Sequence, residues 1–273
     1  VLSDHLSWGT VYALLALLLG VGLITTLLAP EPEGTPPPPR SLGESIVRPF
    51  ADLLSRRRSW ALLAIVALYK IGDSVAGHVQ IPFLGAQHLH FANTEIGVIK
   101  KGIGLGATIV GALVGGGLVA RFGLKRSLIA FGILQAAPNA LYAWLAEHGR
   151  DPAVVETLSQ LSWVRSLESI GVTPATIPMA AVITVDELMN GLGTAAFVAL
   201  LMSLCNKRFT AMQYALLSSL SNIAGRLLAG SSGVLAEAMG WPAFFGLTVL
   251  LALPALALLF LVDLDAEPRE EAT

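Results

Sequence analysis

Long apolar runs divide the chain, and each run has a length that suits a helix crossing a lipid bilayer. A bilayer core about 30 Å thick requires about 20 residues of helix. Backbone N–H and C=O groups must pair within the segment in lipid, so each run is predicted to be helical. The pattern therefore predicts an all-α, polytopic membrane protein. Seven runs qualify, at roughly residues 9–29, 60–84, 95–120, 126–146, 178–204, 211–236 and 241–262.

The polar connections between the runs alternate in their content of lysine and arginine. Connection 30–59 holds five arginines, turn 121–126 holds three basic residues, and turn 205–210 holds two. Connection 85–94 holds none. Because basic loops stay on the cytoplasmic side of a membrane, the basic loops are predicted to be cytoplasmic. The carboxyl-terminal tail, 264–273, is predicted to end on the same side.

A proline-rich stretch separates the first run from the other six. Residues 30–40 read "PEPEGTPPPPR", and four consecutive prolines favour an extended spacer over a packed helix. We therefore predict four parts. Residues 1–29 are the last transmembrane helix of an amino-terminal lobe that this chain lacks, 30–59 is a cytoplasmic inter-lobe loop, 60–263 is a six-helix carboxyl-terminal lobe, and 264–273 is a cytoplasmic tail.

Composition narrows the class of protein and its partners. Hydrophobic residues make up 54% of the chain and charged residues 13%, whereas soluble domains carry about 25% charged residues. The net charge is −2 and there is no basic tract with interleaved aromatics, so nucleic acid is not a predicted partner. Motifs of the HExxH, GxSxG and CxxC types are absent from the sequence, and its one cysteine is Cys205. Neither an enzyme nor a cofactor is predicted. Since the chain starts at Val1 rather than at a methionine, we expect it to be part of a longer protein.

Charged side chains inside the predicted spans are the candidate chemistry. A charge at the centre of a membrane helix costs about 2.5–3.5 kcal/mol on insertion scales, which makes accidental placement improbable. Lys70 and Asp73 are three residues apart, so they share a helix face near the bilayer midplane. Two interpretations remain open: a fixed ion pair that holds helices together, or a cavity-lining pair whose carboxyl takes up and releases a proton.

The other charged positions are predicted to extend this pathway. Lys100 and Lys101 point about 100° apart on a regular α-helix, so we expect Lys101 to face a cavity and Lys100 to reach the outer headgroups. Arg226 lies past the middle of its span, where we expect it to meet an anion or carboxylate. Asp186 and Glu187 lie in the outer half of theirs, either as an interfacial pair in a wet vestibule or as part of the pathway.

Glycines at four-residue spacing are a second feature of the spans. Gly102 and Gly106 form one such pair, and Gly111 and Gly115 form another. This spacing lets two membrane helices approach closely.

Two stretches resemble known families. "GGGLVARFGLKRS" (115–127) is similar to the loop signature of the major facilitator superfamily, although Ala120 stands where that signature often has aspartate. "GLGTAAFVALLMSLCNKRFTAMQYALLSSL" (191–220), with "LYKIGD", "GATIVGAL" and "GWPAFF", resembles the AmpG family of muropeptide permeases within that superfamily. The resemblance runs from about residue 8 to about residue 262, apart from the loop at 149–178.

The resemblance implies proton-driven import of anhydromuropeptides, the sugar–peptide fragments of recycled cell wall, across the bacterial inner membrane. It also implies a link to β-lactamase induction. The implied partners are the lipid bilayer, the anhydromuropeptide, protons and the amino-terminal lobe. Lys70, Asp73, Lys101 and Arg226 are predicted to face the central cavity, with Asp73 coupling protons. Two alternatives stay open: a carrier on the same scaffold for another solute, such as an acyl-coenzyme A or a peptide, and a membrane scaffold that does not transport.

Overall fold

A computed structural model describes most of the chain as helix, in two compact units, Val1–Arg40 and Ser41–Thr273. Within the described ranges the secondary structure contains helices and turns but no strand, in agreement with the all-α prediction. The residues that the structure describes are 7–29, 42–55, 58–85, 88–162, 164–167 and 172–262.

The first unit contributes one helix, α1 (Trp8–Leu28). The Ser7 side chain caps it by accepting a hydrogen bond from the Thr10 backbone N–H. Apolar side chains cover all sides of α1, and none of its residues is buried within the unit. A helix of 21 residues is about 31 Å long at 1.5 Å per residue, which matches the hydrocarbon core of a bilayer.

The second unit contains the remaining helices. They are α2 (Leu42–Ser55), α3 (Ser59–Leu68), α4 (Ile71–Leu84), α5 (Asn93–Val98), a π-helix (Ile99–Gly104), α6 (Leu105–Phe122), α7 (Leu124–His148), α8 (Pro152–Ser159), α9 (Val164–Leu167), a 3₁₀-helix (Pro174–Thr176), α10 (Ile177–Ser203), α11 (Thr210–Ala229), α12 (Ser232–Met239), α13 (Trp241–Leu250) and α14 (Leu253–Leu261).

Six of the seven predicted spans are confirmed as helical stretches long and apolar enough to cross a membrane. The seventh, 211–236, is helical as α11 and α12 but is less apolar than the other six. Polar side chains such as Gln213, Asn222 and Arg226 account for the shortfall. The six stretches in the described part of the chain are Trp8–Leu28, Ser59–Leu84, Asn93–Phe122, Leu124–His148, Pro174–Ser203 and Trp241–Leu261.

Two of these stretches depart from regular α-helix at their charged residues. The first departure separates α3 from α4 at Tyr69 and Lys70, where Lys70 has φ −101° and ψ 6°. The second is the π-helix, which contains Lys100 and Lys101. Interrupted membrane helices and π-helical turns both recur at functional sites. In these two stretches the backbone therefore changes where the sequence places lysine, whereas α10 and α11 stay regular at Asp186, Glu187 and Arg226.

Close contact between α6 and α10 holds the centre of the second unit together. Gly111 packs against the Leu188 carbonyl and Gly191 against the Thr108 carbonyl, so that a Cβ at either position would collide with backbone. Gly115 lies against Leu192 in the same way. The predicted close approach is therefore confirmed for Gly111 and Gly115. At Gly102 and Gly106 no neighbouring helix lies within 4 Å of the place that a Cβ would occupy, so these two glycines take no part in the close approach.

An aromatic cluster fills the core of the second unit beside this seam. Phe83, Tyr142 and Phe245 are fully buried, and the Tyr142 and Phe245 rings stack with centroids 5.2 Å apart. Phe83 meets the Phe245 ring edge-on at 4.9 Å. Such pairs add to the stability from apolar burial. The cluster fixes α4, α7 and α13 relative to one another, and so fixes the polar side chains that α4 and α7 carry.

Helix α2 lies in a segment that the sequence analysis assigned to a loop. It is amphipathic, with Leu53 buried and Ile46 and Phe50 exposed. Gln213 Nε2 donates to Asp52 Oδ2 at 2.7 Å and to the Pro49 carbonyl at 3.1 Å. These bonds dock α2 onto the amino-terminal end of α11.

Candidate functional site

The first part of the candidate site is the ion pair that the sequence suggested. Lys70 Nζ lies 3.4 Å from Asp73 Oδ2. It also donates to Asn190 Oδ1 at 3.0 Å and to Thr194 Oγ1 at 3.2 Å on α10. The Lys70 and Asp73 side chains are 16% and 30% exposed. The pair therefore connects two helices, and part of each side chain stays exposed.

The buried side of Asp73 is held by α7. Gln135 Nε2 donates to Asp73 Oδ2 at 2.8 Å, and the buried Gln135 side chain packs on Gly193. A small pocket next to this bond is lined by Asp73, Gln135 and Asn139. Asn139 is buried, and its side chain makes no hydrogen bond to the residues that the structure describes. The pocket therefore places two amide side chains beside the carboxylate, within a lining that is otherwise mostly small and apolar.

The second part of the site surrounds Asp186 on α10. Asp186 Oδ2 accepts a hydrogen bond from Gln80 Nε2 at 2.9 Å and another from the Tyr142 hydroxyl at 3.1 Å. The Gln80 amide also links Asp186 to a cation, since Lys100 Nζ donates to Gln80 Oε1 at 2.6 Å. Three helical stretches therefore converge on Asp186.

Glu187, the next residue along α10, contacts Lys100 and Thr108. Its Oε1 lies 3.6 Å from Lys100 Nζ, and its Oε2 lies 2.8 Å from the Thr108 hydroxyl. The Lys100 and Glu187 side chains are only 21% and 17% exposed. We call Lys70, Asp73, Lys100, Asp186 and Glu187, with the neutral side chains that join them, the paired network.

The assignment of Lys100 to the outer headgroups was wrong. Lys100 points inward to Gln80 and Glu187, and Lys101 is the exposed lysine. The cause is the π-helix, which inserts an extra residue into a turn and rotates the side chains away from the faces of a regular α-helix. That Lys101 faces a central cavity stays a prediction.

Arg226 is exposed on α11, on a different face from the one that packs. Gly225, its neighbour, packs closely on the Ser74 side chain. Ala215, Ser219 and Asn222 share the exposed face with Arg226 because their spacings of four, three and four residues follow the helix. Arg226 and Lys101 make no hydrogen bond or ion pair with any described residue; we call these two residues the open cations. Contact of Arg226 with an anion stays a prediction.

The sequence analysis did not identify the neutral side chains of the paired network. Gln80, Gln135 and Asn190 are amides inside apolar runs, and that was the available signal, because buried polar groups in membrane helices need partners. Their partners lie far away in sequence. Gln80 and Asp186, for example, are 106 positions apart.

A set of apolar helices with charged and amide side chains bonded between them defines a multi-pass membrane protein with a polar interior. Residues 1–155 match the family profile described as Major Facilitator Superfamily. This match covers more than half of the chain, and the chain belongs to that superfamily.

The chain is also similar to individual proteins that are named as a permease and as a putative transporter. The chain is 42% identical over 255 residues to the anhydromuropeptide permease of Escherichia coli K12, an alignment that covers 93% of this chain and 47% of the permease. It is 33% identical over 219 residues to the putative transporter AmpG 4 of Rickettsia conorii, with coverage of 80% and 47%. The chain spans about half the length of these relatives.

Proposed function

We propose that the chain forms the carboxyl-terminal lobe, with one preceding helix, of a permease. The permease imports anhydromuropeptides across the bacterial inner membrane, and a proton gradient drives the import. The supporting observation is the paired network, which lies between apolar helices in a chain 42% identical to an anhydromuropeptide permease. Import of this kind would serve cell-wall recycling and, in Gram-negative bacteria, would feed β-lactamase induction.

Asp73 couples the proton in this proposal. An ionised carboxylate inside a membrane protein requires a cation, strong hydrogen bonds or a proton. Lys70 supplies the cation at 3.4 Å, and Gln135 supplies a hydrogen bond. A rearrangement that moves Lys70 toward Asn190 and away from Asp73 would favour protonation of the carboxyl. The break between α3 and α4 interrupts the helix at Lys70, the residue that would have to move.

The open cations bind the solute in this proposal. The peptide stem of an anhydromuropeptide carries carboxylates, and a cation without a protein partner is suited to bind them. Arg226 presents such a group beside Ser219 and Asn222 on the exposed face of α11, and Lys101 presents one on the π-helix. The amino-terminal lobe would complete the cavity. The basic loops and the carboxyl terminus would lie in the cytoplasm.

The test is an Asp73→Asn substitution in the two-lobe protein that contains this chain, reconstituted into vesicles. With an inward proton gradient, the variant is expected to lose accumulation of a labelled anhydromuropeptide while it still exchanges labelled for unlabelled solute. Glu156→Gln, an exposed acid on α8, is the matched control and should accumulate normally. Accumulation by Asp73→Asn at the normal level would remove Asp73 from coupling. Inhibition by acyl-coenzyme A but not by anhydromuropeptide would reassign the solute.

A further inference from the structure

The paired network contains more acids than bases. The acids are Asp73, Asp186 and Glu187, and the bases are Lys70 and Lys100. If all five were ionised, the network would carry a net negative charge between helices that cross lipid. A buried charge without a counter-ion is neutralised by taking up or losing a proton. One of the three carboxyl groups is therefore expected to hold a proton in this arrangement.

The contacts distinguish which acid that is. Asp73 has Lys70 at 3.4 Å, and Glu187 has Lys100 at 3.6 Å. The hydrogen bonds to Asp186 come from Gln80 and Tyr142, which are both neutral. Asp186 is thus the acid whose bonded partners in the described structure include no cation.

The surroundings of Asp186 suit a protonated carboxyl. Both donors reach the same oxygen, Oδ2, so the proton can reside on Oδ1. The charged groups that face Asp186 are Lys100 from the π-helix, Asp73 from α4 and the adjacent Glu187. Lys100 already donates to the Gln80 side-chain oxygen and pairs with Glu187. The negative charges of Asp73 and Glu187 disfavour a third negative charge on Asp186.

We propose that Asp186 is a second proton-binding carboxyl of this lobe and that it is protonated while the Lys70–Asp73 and Lys100–Glu187 pairs are closed. Loss of its proton would leave a carboxylate, and Lys100 is the cation placed to move from Glu187 to neutralise it. Gln80 and Tyr142 act as positioning residues that hold Oδ2. The role of this proton in a transport cycle rests on the proposed function, but its presence does not.

Infrared spectroscopy of the two-lobe protein in lipid nanodiscs, with no gradient and no solute, tests the proposal directly. Protonated and ionised carboxyl groups absorb at different frequencies, and labelling all aspartates with ¹³C shifts aspartate bands alone. At neutral pH the protein is expected to show a label-sensitive band of protonated carboxyl. Asp186→Asn should remove that band, and Asp151→Asn, which changes an aspartate that caps α8 outside the paired network, should retain it. A band that survives Asp186→Asn would overturn the proposal.

A second variant covers the case in which Asp186→Asn does not fold. Tyr142→Phe keeps the ring that packs on Phe83 and Phe245 and removes only the hydroxyl at 3.1 Å from Asp186. Loss of a hydrogen bond to the carboxyl should shift the same band to higher frequency. An unshifted band would show that the proton lies elsewhere. The proposed function can fail separately, because the band can be present in a protein that does not import anhydromuropeptides.

Discussion

The paired network and the open cations place charge in the same set of helices in opposite ways. Lys70 and Lys100 each lie within 4 Å of a carboxylate and also donate to amide oxygens. Lys101 and Arg226 are exposed and have no bonded partner among the described residues. The charges of Lys70 and Lys100 are therefore balanced by carboxylates of the same chain. The charges of Lys101 and Arg226 can be balanced only by a group outside the described residues.

The difference indicates which charges organise the lobe and which would meet a solute. A cation that is fully bonded within the protein has little capacity left for a ligand, and its removal strands a carboxylate. A cation without a protein partner contributes little to folding, and its removal leaves no group unpaired. The two sets are therefore expected to respond differently to the same kind of substitution.

The largest effect is expected where one member of a pair is removed. Lys70→Met leaves Asp73 with the Gln135 hydrogen bond but without its cation. Because an unpaired charge remains, we expect the free energy of unfolding to fall by about 3 kcal/mol, at the low end for a buried pair since both side chains keep some exposure. Unfolding in mixed micelles with increasing denaturing detergent measures this change.

The double variant Lys70→Met/Asp73→Asn separates charge from packing. It removes both charges and should recover most of the lost stability, while transport stays impaired. Equal stability of the single and double variants would show that the stranded carboxylate is not the cause. The comparison between the two sets of charges would then lose its basis.

The spans could be predicted from the sequence because the bilayer fixes both length and polarity. The predicted run 126–146 corresponds to Leu124–His148, and 9–29 corresponds to Trp8–Leu28. Helix α2 was missed because the proline tract at 30–40 dominated the interpretation of the whole 30–59 segment. Its signal was present in Ile46, Phe50 and Leu53, which recur at helical spacing.

The partners within the site could be predicted only where they are close in sequence. Lys70 and Asp73 pair as their spacing suggested, because three residues separate them on one helix. Lys100 was misplaced since its orientation depends on a π-helix, for which the sequence gives no periodic signal. The pairing of Gln80 with Asp186 depends on how α4 and α10 pack, which local patterns do not encode.

The two adjacent lysines of the π-helix give the sharpest test of the comparison. Lys100→Met removes the cation next to Glu187 and the donor to Gln80. We expect it to lower the free energy of unfolding by about 2 kcal/mol, the usual range for hydrogen bonds to charged groups. Lys101→Met is the matched control, because it makes the same chemical change one residue away, and it should unfold at the same detergent fraction as the unmodified protein.

The π-helix makes this test specific. On a regular α-helix in the register that the sequence suggested, Lys101 would be the inward lysine. Lys101→Met would then lower the stability, and Lys100→Met would leave it unchanged. A larger loss of stability in Lys101→Met than in Lys100→Met would therefore refute the placement of Lys100 in the paired network.

Arg226→Gln is expected to have the smallest effect on folding and a selective effect on transport. The guanidinium is exposed, and the packing face of α11 runs through Gly225 instead, so thermal unfolding should be unchanged. If Arg226 binds a carboxylate of the solute, KM for anhydromuropeptide uptake should rise about tenfold, the equivalent of one charge-assisted hydrogen bond, with little change in the maximal rate. Asn222→Ala removes a polar group from the same exposed face and serves as the control, with a much smaller rise in KM expected. An unchanged KM in Arg226→Gln would mean that an open cation need not meet the solute. Exposure alone would then not identify the charges that bind the solute.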